Sequence, residues 1–415
     1  MNNHATEIYD ALIVGGGPAG ACTAIRLAMG GARVLLVEQK KFPRAKLCGE
    51  FISPECLEHF AQVGALDSMA AAGGVKILET IFYTQRGRSL SVPSKWFGAR
   101  SAAANSSTAL GLSRAEMDSR LLLRAREAGV EVCEETQATN LIKEGNRVAG
   151  VSLKMNGTEV RRVYARVTID ATGRTRALSR LLEKEENRAM PKPRAALVAF
   201  KAHLEGARNT DGQCEIYSYR GGYGGLSSVE KNLGNLCFIV SASDVKRCGS
   251  DAGRVMREIV SQNKRAAYAL GNARVVSAWL SVALEKFGRS TLAPVDGLLA
   301  IGDAASFIDP FTGSGMLMAL ESGEVAAQTI LGFLPQLRRR ANESLTTLAR
   351  EYEERYNRKF GARLRLCAVL RRAAFAPRLN EALIFALGTS EHARRLVARA
   401  TRRSSLDDMR ETREV

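Results

Sequence analysis

Two hydrophobic rhythms alternate along the chain. Ile8 to Val14 is a nearly unbroken apolar run of strand length, Pro18 to Met29 carries apolar residues at helical spacing, and Arg33 to Glu38 is a second short apolar run. Gly30-Gly31 supplies the helix stop between them. A strand, a helix and a strand in close succession predict a βαβ unit. The two strands then lie parallel, because the helix carries the chain back to the starting edge.

Lys76 to Val92 alternates polar and apolar residues as strands do. Ser113 to Ala128 reads as a helix, with Ser113 as N-cap and Glu116 three residues later, the spacing of a capping box. Val130 to Val132, Arg147 to Leu153 and Arg161 to Asp170 read as strands. From Pro191 to Leu284 the strand rhythm dominates, with candidates at Ala195–Leu204, Cys214–Tyr219, Gly224–Val229 and Asn235–Ser241 and one helix near Asp251 to Gly271. A strand at Leu298 to Gly302 and a helix from Gly315 to Leu331 restore the first pattern, and Leu337 to Arg403 is helix-like with stops near Pro377 and Gly388.

The expected fold class is α/β. A Rossmann-type nucleotide domain is assembled from residues 1–75, 105–185 and 285–335. An antiparallel-β substrate domain, residues 76–104 and 186–284, is inserted into it, and residues 336–415 form a basic helical C-terminal region.

Composition narrows the partners. At 415 residues, 46% apolar and 25% charged, the chain has ordinary globular content. It has no run of the ~18–20 apolar residues that spans a bilayer. Met1 to Glu7 shows no basic segment leading into an apolar one, so a cytoplasmic location is expected. The eight cysteines include no CxxC pair and do not cluster with the four histidines, which predicts no metal site and no disulfide framework. The net charge is +17, and Leu331 to Val415 alone holds 19 Lys and Arg against 10 Asp and Glu. Such an excess suits anionic partners: a membrane surface, phosphorylated or CoA-like substrates, or acidic carriers. A solvated Arg-rich surface accounts for it equally well. Nucleic acid is disfavoured, because no basic–aromatic binding module is present. The expected partner is a small hydrophobic or anionic organic substrate, with peripheral membrane contact through the basic region.

The candidate chemistry begins at Gly15-Gly16-Gly17-Pro18-Ala19-Gly20, which fits GxGxxG between the first strand and helix. Gly15 permits the tight turn, Gly17 allows close approach of a pyrophosphate, and Gly20 allows close helix–strand packing. Pro18 and Ala19 open the helix, whose free N–H groups (Pro18 itself has none) face the phosphates with the positive end of the helix dipole. Glu38 ends the second strand and can accept both ribose hydroxyls of an adenosine half. It would repel a 2′-phosphate.

A second motif runs Gly302-Asp303-Ala304-Ala305-Ser306-Phe307-Ile308-Asp309-Pro310-Phe311-Thr312-Gly313-Ser314-Gly315, after an apolar strand and before a helix. It resembles the GD motif of the para-hydroxybenzoate hydroxylase class of flavoproteins. The resemblance implies FAD, with Gly302 and Asp303 at the ribityl chain. Pro310, Gly313, Ser314 and Gly315 would face the flavin pyrimidine edge. A helix N-terminus there would favour negative charge on the reduced ring. Asp170-Ala171-Thr172-Gly173 is similar to the class's strand-end DG motif but separates the two letters. Arg114 matches a position where the class places an Arg near the pyrophosphate.

Phe42 to Pro54 narrows the branch. Its Arg44-Ala45-Lys46-Leu47-Cys48-Gly49-Glu50 resembles the R-x-K-x-C-G-E/D stretch of the geranylgeranyl reductase-like branch. Gly221 to Leu226 is similar to that branch's Gly/Tyr strand on the substrate side, which marks Tyr223 and Gly224. The resemblance implies reduction of C=C bonds in an isoprenoid, polyketide-like or lipid substrate. Hydride would come from reduced flavin, and Cys48 near the ring would supply or relay the proton. Arg44 is expected at the cofactor phosphates or at an anionic substrate group.

Other readings stay open. A monooxygenase hydroxylating an aromatic or polyketide substrate shares fold and motif. A flavin-dependent halogenase would need a lysine such as Lys76, but its Trp-x-Trp-x-Ile-Pro segment is absent. A noncatalytic electron carrier would not need the inserted β domain. No second GxGxxG follows a strand, so the electrons are expected from transiently docked NAD(P)H or from a partner reductant.

Overall fold

The computed structural model describes residues 8–97, 108–155, 157–185, 196–284, 287–339, 341–375 and 377–402. Met1 to Glu7, Pro191, Ala195 and Arg403 fall outside these residues.

Ile8–Val14 forms the centre of the first sheet, parallel to Val34–Val37 on one side and to Glu159–Asp170 on the other. Val14 pairs with both Val37 and Asp170, so three strands end together at the glycine turn. Leu298–Ala300 adds a further parallel strand beside Asp170, and Glu131–Cys133 extends the opposite edge. The crossover from the first strand to the second is helix Pro18–Met29, and helix Gly315–Arg339, longer than predicted and tolerant of Pro335, follows the last strand of the sheet and packs beside it. Their apolar faces join helix Arg114–Glu127 in the main core around Ile13, Ile25, Leu121, Leu299 and Ile330. Only the N-cap half of the predicted capping box forms: Ser113 Oγ accepts from the Glu116 amide at 3.2 Å, but the Ser113 amide donates to Glu230 at 2.9 Å in place of Glu116.

The sheet also has an antiparallel ribbon in which Arg147–Met155 lies between Glu159–Asp170 and Thr136–Glu144. Thr136–Glu144 is missing from the sequence-based reading. It is an edge strand with mostly polar residues, so it has no apolar face to betray it.

The second sheet orders Arg274–Val275, Leu197–Glu205, Leu233–Ser241, Gly222–Val229, Gln213–Tyr219, Glu79–Tyr83 and Ser89–Pro93, with Leu280–Leu284 also on Leu197–Glu205. It is antiparallel except at one seam, where Glu79–Tyr83 runs parallel to Gln213–Tyr219. The helix expected over Asp251 to Gly271 is broken into Ala252–Glu258, a 3₁₀ turn at Val260–Gln262, and Lys264–Leu270. Asn263 causes the break. Its buried side chain donates to the carbonyls of Tyr83, Thr84 and Ser218 and accepts from the Arg265 and Ala266 amides. An asparagine so placed caps a new helix rather than continuing the old one.

Three helices follow at Ala341–Ala374, Pro377–Gly388 and Glu391–Ala400. The first packs along Gly315–Arg339 and buries Tyr352, Tyr356 and Phe360 in the main core, while the last two fold back onto the cavity between the sheets.

Candidate active site

The glycine turn has the geometry a dinucleotide needs. Gly15 has φ +113, and a Cβ there would sit 2.4 Å from the Ala171 carbonyl oxygen. At Gly20 a Cβ would meet the Gly15 carbonyl oxygen at 1.9 Å, which fixes the close packing of helix on turn. Gly17 differs: the nearest atom to its Cβ position is Arg114 Nη2 at 3.8 Å, so open space remains in front of the amides. Glu38 stands at the adenosine end, accepting from the Gly16 amide at 2.9 Å and the Lys40 amide at 3.0 Å.

Four cations face the middle of the same cavity: Arg44, Lys46, Arg114 and Arg174. Arg44 bridges Glu38 at 3.3 Å and Asp118 at 3.4 Å. Arg114 grips Asp118 with two hydrogen bonds of 2.8 and 2.7 Å and also faces the Cys48 sulfur. Burial, reinforced by Arg44, Arg114 and Arg174, pushes the Lys46 ammonium below its ordinary value. Asp303 is pushed up by burial, with Arg174, Lys46 and Arg114 drawing it partly back. This crowd of positive charge fits a pyrophosphate dianion, and Asp303 opposite it fits the hydroxyls of a ribityl chain.

Cys48, Gly49 and Glu50 cross from this cradle to the second sheet. The Cys48 carbonyl accepts from Asn235 Nδ2 at 3.1 Å, and the Gly49 carbonyl from Ser227 Oγ at 3.3 Å. Glu50 is 1% exposed and takes up a positive φ of 54. Its carboxylate receives Lys201 Nζ at 2.5 Å, His203 Nε2 at 2.7 Å and the Arg114 amide at 2.9 Å. Burial alone would raise the Glu50 carboxyl, but His203 and Lys201 reverse that and hold it below its ordinary value. Cys48 Sγ accepts from the Glu50 amide at 3.4 Å and borders the cavity.

The remaining length of the cavity is mostly apolar. The whole space measures about 660 Å³, and its far half is walled by Leu47, Phe82, Val92, Phe97, Ile216 and Phe311, with Leu383, Ile384 and Val397 from the last two helices. Tyr223 packs edge-on against Phe311 at 5.2 Å. Its hydroxyl donates to Asp309, which also accepts from the Phe311 amide at 3.0 Å and lies 3.2 Å from Arg371. Burial pushes the Asp309 carboxyl up, as it does the Tyr223 phenol.

Most residues singled out from the sequence meet at this cavity: Gly15, Gly17, Pro18, Ala19, Glu38, Arg44, Cys48, Arg114, Tyr223, Gly302, Asp303, Pro310, Gly313 and Gly315. Two turn elsewhere. Side chains alternate along a strand, so Tyr223 and Gly225 reach the cavity while Gly224 backs onto Phe238, 2.9 Å from its Cβ position. Ser314 is fully buried, its hydroxyl 2.8 Å from that of Thr312. Lys76 is exposed on strand Val75–Ile77 and does not border the cavity. Arg174, Gln137, Phe97 and Arg402 were missed. Arg174 alone carried a signal, as the residue after Gly173.

Residues 8–335 match the FAD binding domain family. The chain belongs to that family. It is an FAD-dependent oxidoreductase whose relatives include reductases of the geranylgeranyl type. It is 24% identical to digeranylgeranylglycerophospholipid reductase 2 of Methanopyrus kandleri over 85% of this chain and 83% of that protein. It is 26% identical to menaquinone reductase of Mycolicibacterium smegmatis over 79% and 76% of the two chains. The solved structure of the flavin-dependent brominase Bmp2 superposes with a TM-score of 0.77 at 20% identity, covering 98% of each chain, a likeness of fold alone.

Proposed function

We propose that the chain reduces carbon–carbon double bonds in an apolar isoprenoid, polyketide-like or lipid substrate. The observation carrying this reading is the apolar half of the cavity, continuous with the cofactor cradle and roofed by Leu383, Ile384 and Val397. Bound and reduced FAD supplies the hydride of such a reduction. The chain's own residues do the remainder. Arg44, Lys46, Arg114 and Arg174 hold the phosphates, the loop from Pro310 to Gly315 orients the ring, and the aromatic walls exclude water. Cys48 stands between cradle and chamber and delivers the proton to the carbon opposite the hydride.

Incubating the reduced flavoprotein with polyprenyl and polyketide substrates tests this. A product heavier by two hydrogens is expected. A product that gains oxygen, and forms only in air, overturns the reading in favour of hydroxylation. Electrons arrive from transiently docked NAD(P)H or from a partner reductant. Anaerobic titration with NADH and NADPH distinguishes the two, since unbleached flavin absorbance excludes direct reduction.

The last helices also suit peripheral contact with a membrane holding such substrates. Leu379, Phe385 and Leu396 are 59%, 62% and 57% exposed on the same helices that roof the cavity, among arginines. No described helix is long and apolar enough to cross a membrane. Cosedimentation with vesicles containing phosphatidylglycerol is expected. Its absence at low salt removes this part of the reading.

A further inference from the structure

The wall of the apolar chamber carries cations outside the cofactor cradle, and Arg402 is the more buried of those from the C-terminal segment. Arg402 borders the cavity just after the last helix and is only 8% exposed. Its Nη2 donates to the Thr312 carbonyl at 3.3 Å. Its Nη1 lies 3.8 Å from Glu55 Oε2, too far for a hydrogen bond, and both Nε and Nη1 are without a hydrogen-bond partner. The guanidinium lies 4.2 Å from the centre of the Phe97 ring and 6.0 Å from that of Phe51.

A buried guanidinium with unmet N–H groups is costly. It persists here because it is held from behind. Arg363, fully buried, pairs with Glu321 at 2.5 Å and donates its Nη2 to the Arg402 carbonyl. The backbone of Arg402 is thereby fixed, and its side chain is presented to the chamber rather than free to swing into water. Arg394, also on the cavity wall, adds a second positive charge, stacked over Trp96 and with its Nε unmet.

We propose that Arg402, seconded by Arg394, is an anion subsite that binds the charged head of an amphipathic substrate. The ligand class is a long apolar chain ending in a carboxylate or phosphate. The planar fork of an arginine suits both groups. Neither is the cofactor's own anion: the pyrophosphate cradle lies at Gly15–Gly20 with Arg44, Lys46, Arg114 and Arg174, whereas Arg402 sits among Phe51, Phe97 and Thr312. The inference rests on the reading of the chamber as an apolar substrate site and adds which end of the substrate is charged.

The test titrates the FAD-loaded full chain with three ligands sharing one hydrocarbon: geranylgeraniol, geranylgeranoic acid and geranylgeranyl monophosphate. Binding is followed through the flavin absorbance. The wild type is expected to bind at least one anion about tenfold or more tightly than the alcohol. Whichever anion wins identifies the head group. Arg402→Gln is expected to erase the preference, with alcohol binding and flavin content unchanged, and Arg402→Lys to keep part of it. Equal binding of alcohol and anions by the wild type overturns the subsite alone, as does a preference that survives Arg402→Gln. Loss of flavin from Arg402→Gln, with the preference retained in the fraction still loaded, assigns the residue to the cofactor loop instead. Failure of all three ligands to bind overturns the apolar-substrate reading itself.

Discussion

Glu50 and His203 are joined at 2.7 Å across the seam between the cofactor loop and the second sheet. With Lys201 on its other oxygen, Glu50 is the buried anion on which the two halves of the site close. Glu50→Gln leaves Lys201, 3% exposed, without its counter-charge. A loss of about 3–5 kcal/mol is expected in denaturant unfolding, the usual effect of breaking a buried pair.

The same carboxylate predicts a pH dependence. Its folded value is depressed by His203 and Lys201 from the ordinary 4.5, so the folded state binds its proton less readily than the unfolded one. The stability it contributes is fully present above that ordinary value and is lost as pH falls toward the folded value. The gap in stability between wild type and Glu50→Gln should be constant at neutral pH and shrink in acid. Denaturation midpoints from about pH 7 to 3 measure it, and a gap that widens in acid contradicts the assignment.

Gly17 and Gly20 should separate folding from cofactor binding. Gly17→Ala has room in the protein and is expected to purify folded but colourless, because the added methyl occupies the approach of the pyrophosphate. Gly20→Ala places a methyl against the Gly15 carbonyl and is expected to cost about 3 kcal/mol or more. Thermal melting and flavin-to-protein absorbance ratios decide both.

Cys48→Ala is expected to lower turnover about a hundredfold or more with flavin content unchanged, and Cys48→Ser to recover part of it. Undiminished turnover in Cys48→Ala removes the thiol from the reaction.

What could be read from the sequence was local. The βαβ start, the Ser113 N-cap and the Gly302–Gly315 motif each lie within a window where spacing alone fixes the geometry. Cys48 and Tyr223 reached the site because their motifs carry them there. Gly224 shows the limit: without the register against Leu233–Ser241, nothing says which parity of the strand faces the cavity. Thr136–Glu144 stayed hidden because a polar edge strand has no hydrophobic rhythm to detect. Asn263 ends a helix through three carbonyls on distant strands, and Arg402 enters the chamber by folding back over some ninety residues to Thr312. Such contacts leave no trace in neighbouring sequence.

Arg363→Met should release the chain end without touching the cofactor. It leaves buried Glu321 only the longer pair with Lys359 at 3.9 Å and frees the Arg402 carbonyl, so a cost of about 3 kcal/mol is expected. Limited proteolysis should then cut first between Pro377 and Arg402 while flavin stays bound.

The family match ends at residue 335, yet Leu383, Ile384, Val397 and Arg402 lie beyond it on the cavity wall. The cavity is therefore completed by a segment outside the matched FAD binding domain. On the proposed reading, changes in the last helices reshape one wall of the chamber and leave the cofactor cradle as it is. Grafting the C-terminal segment between relatives would exchange their preferences more readily than any set of changes around the flavin.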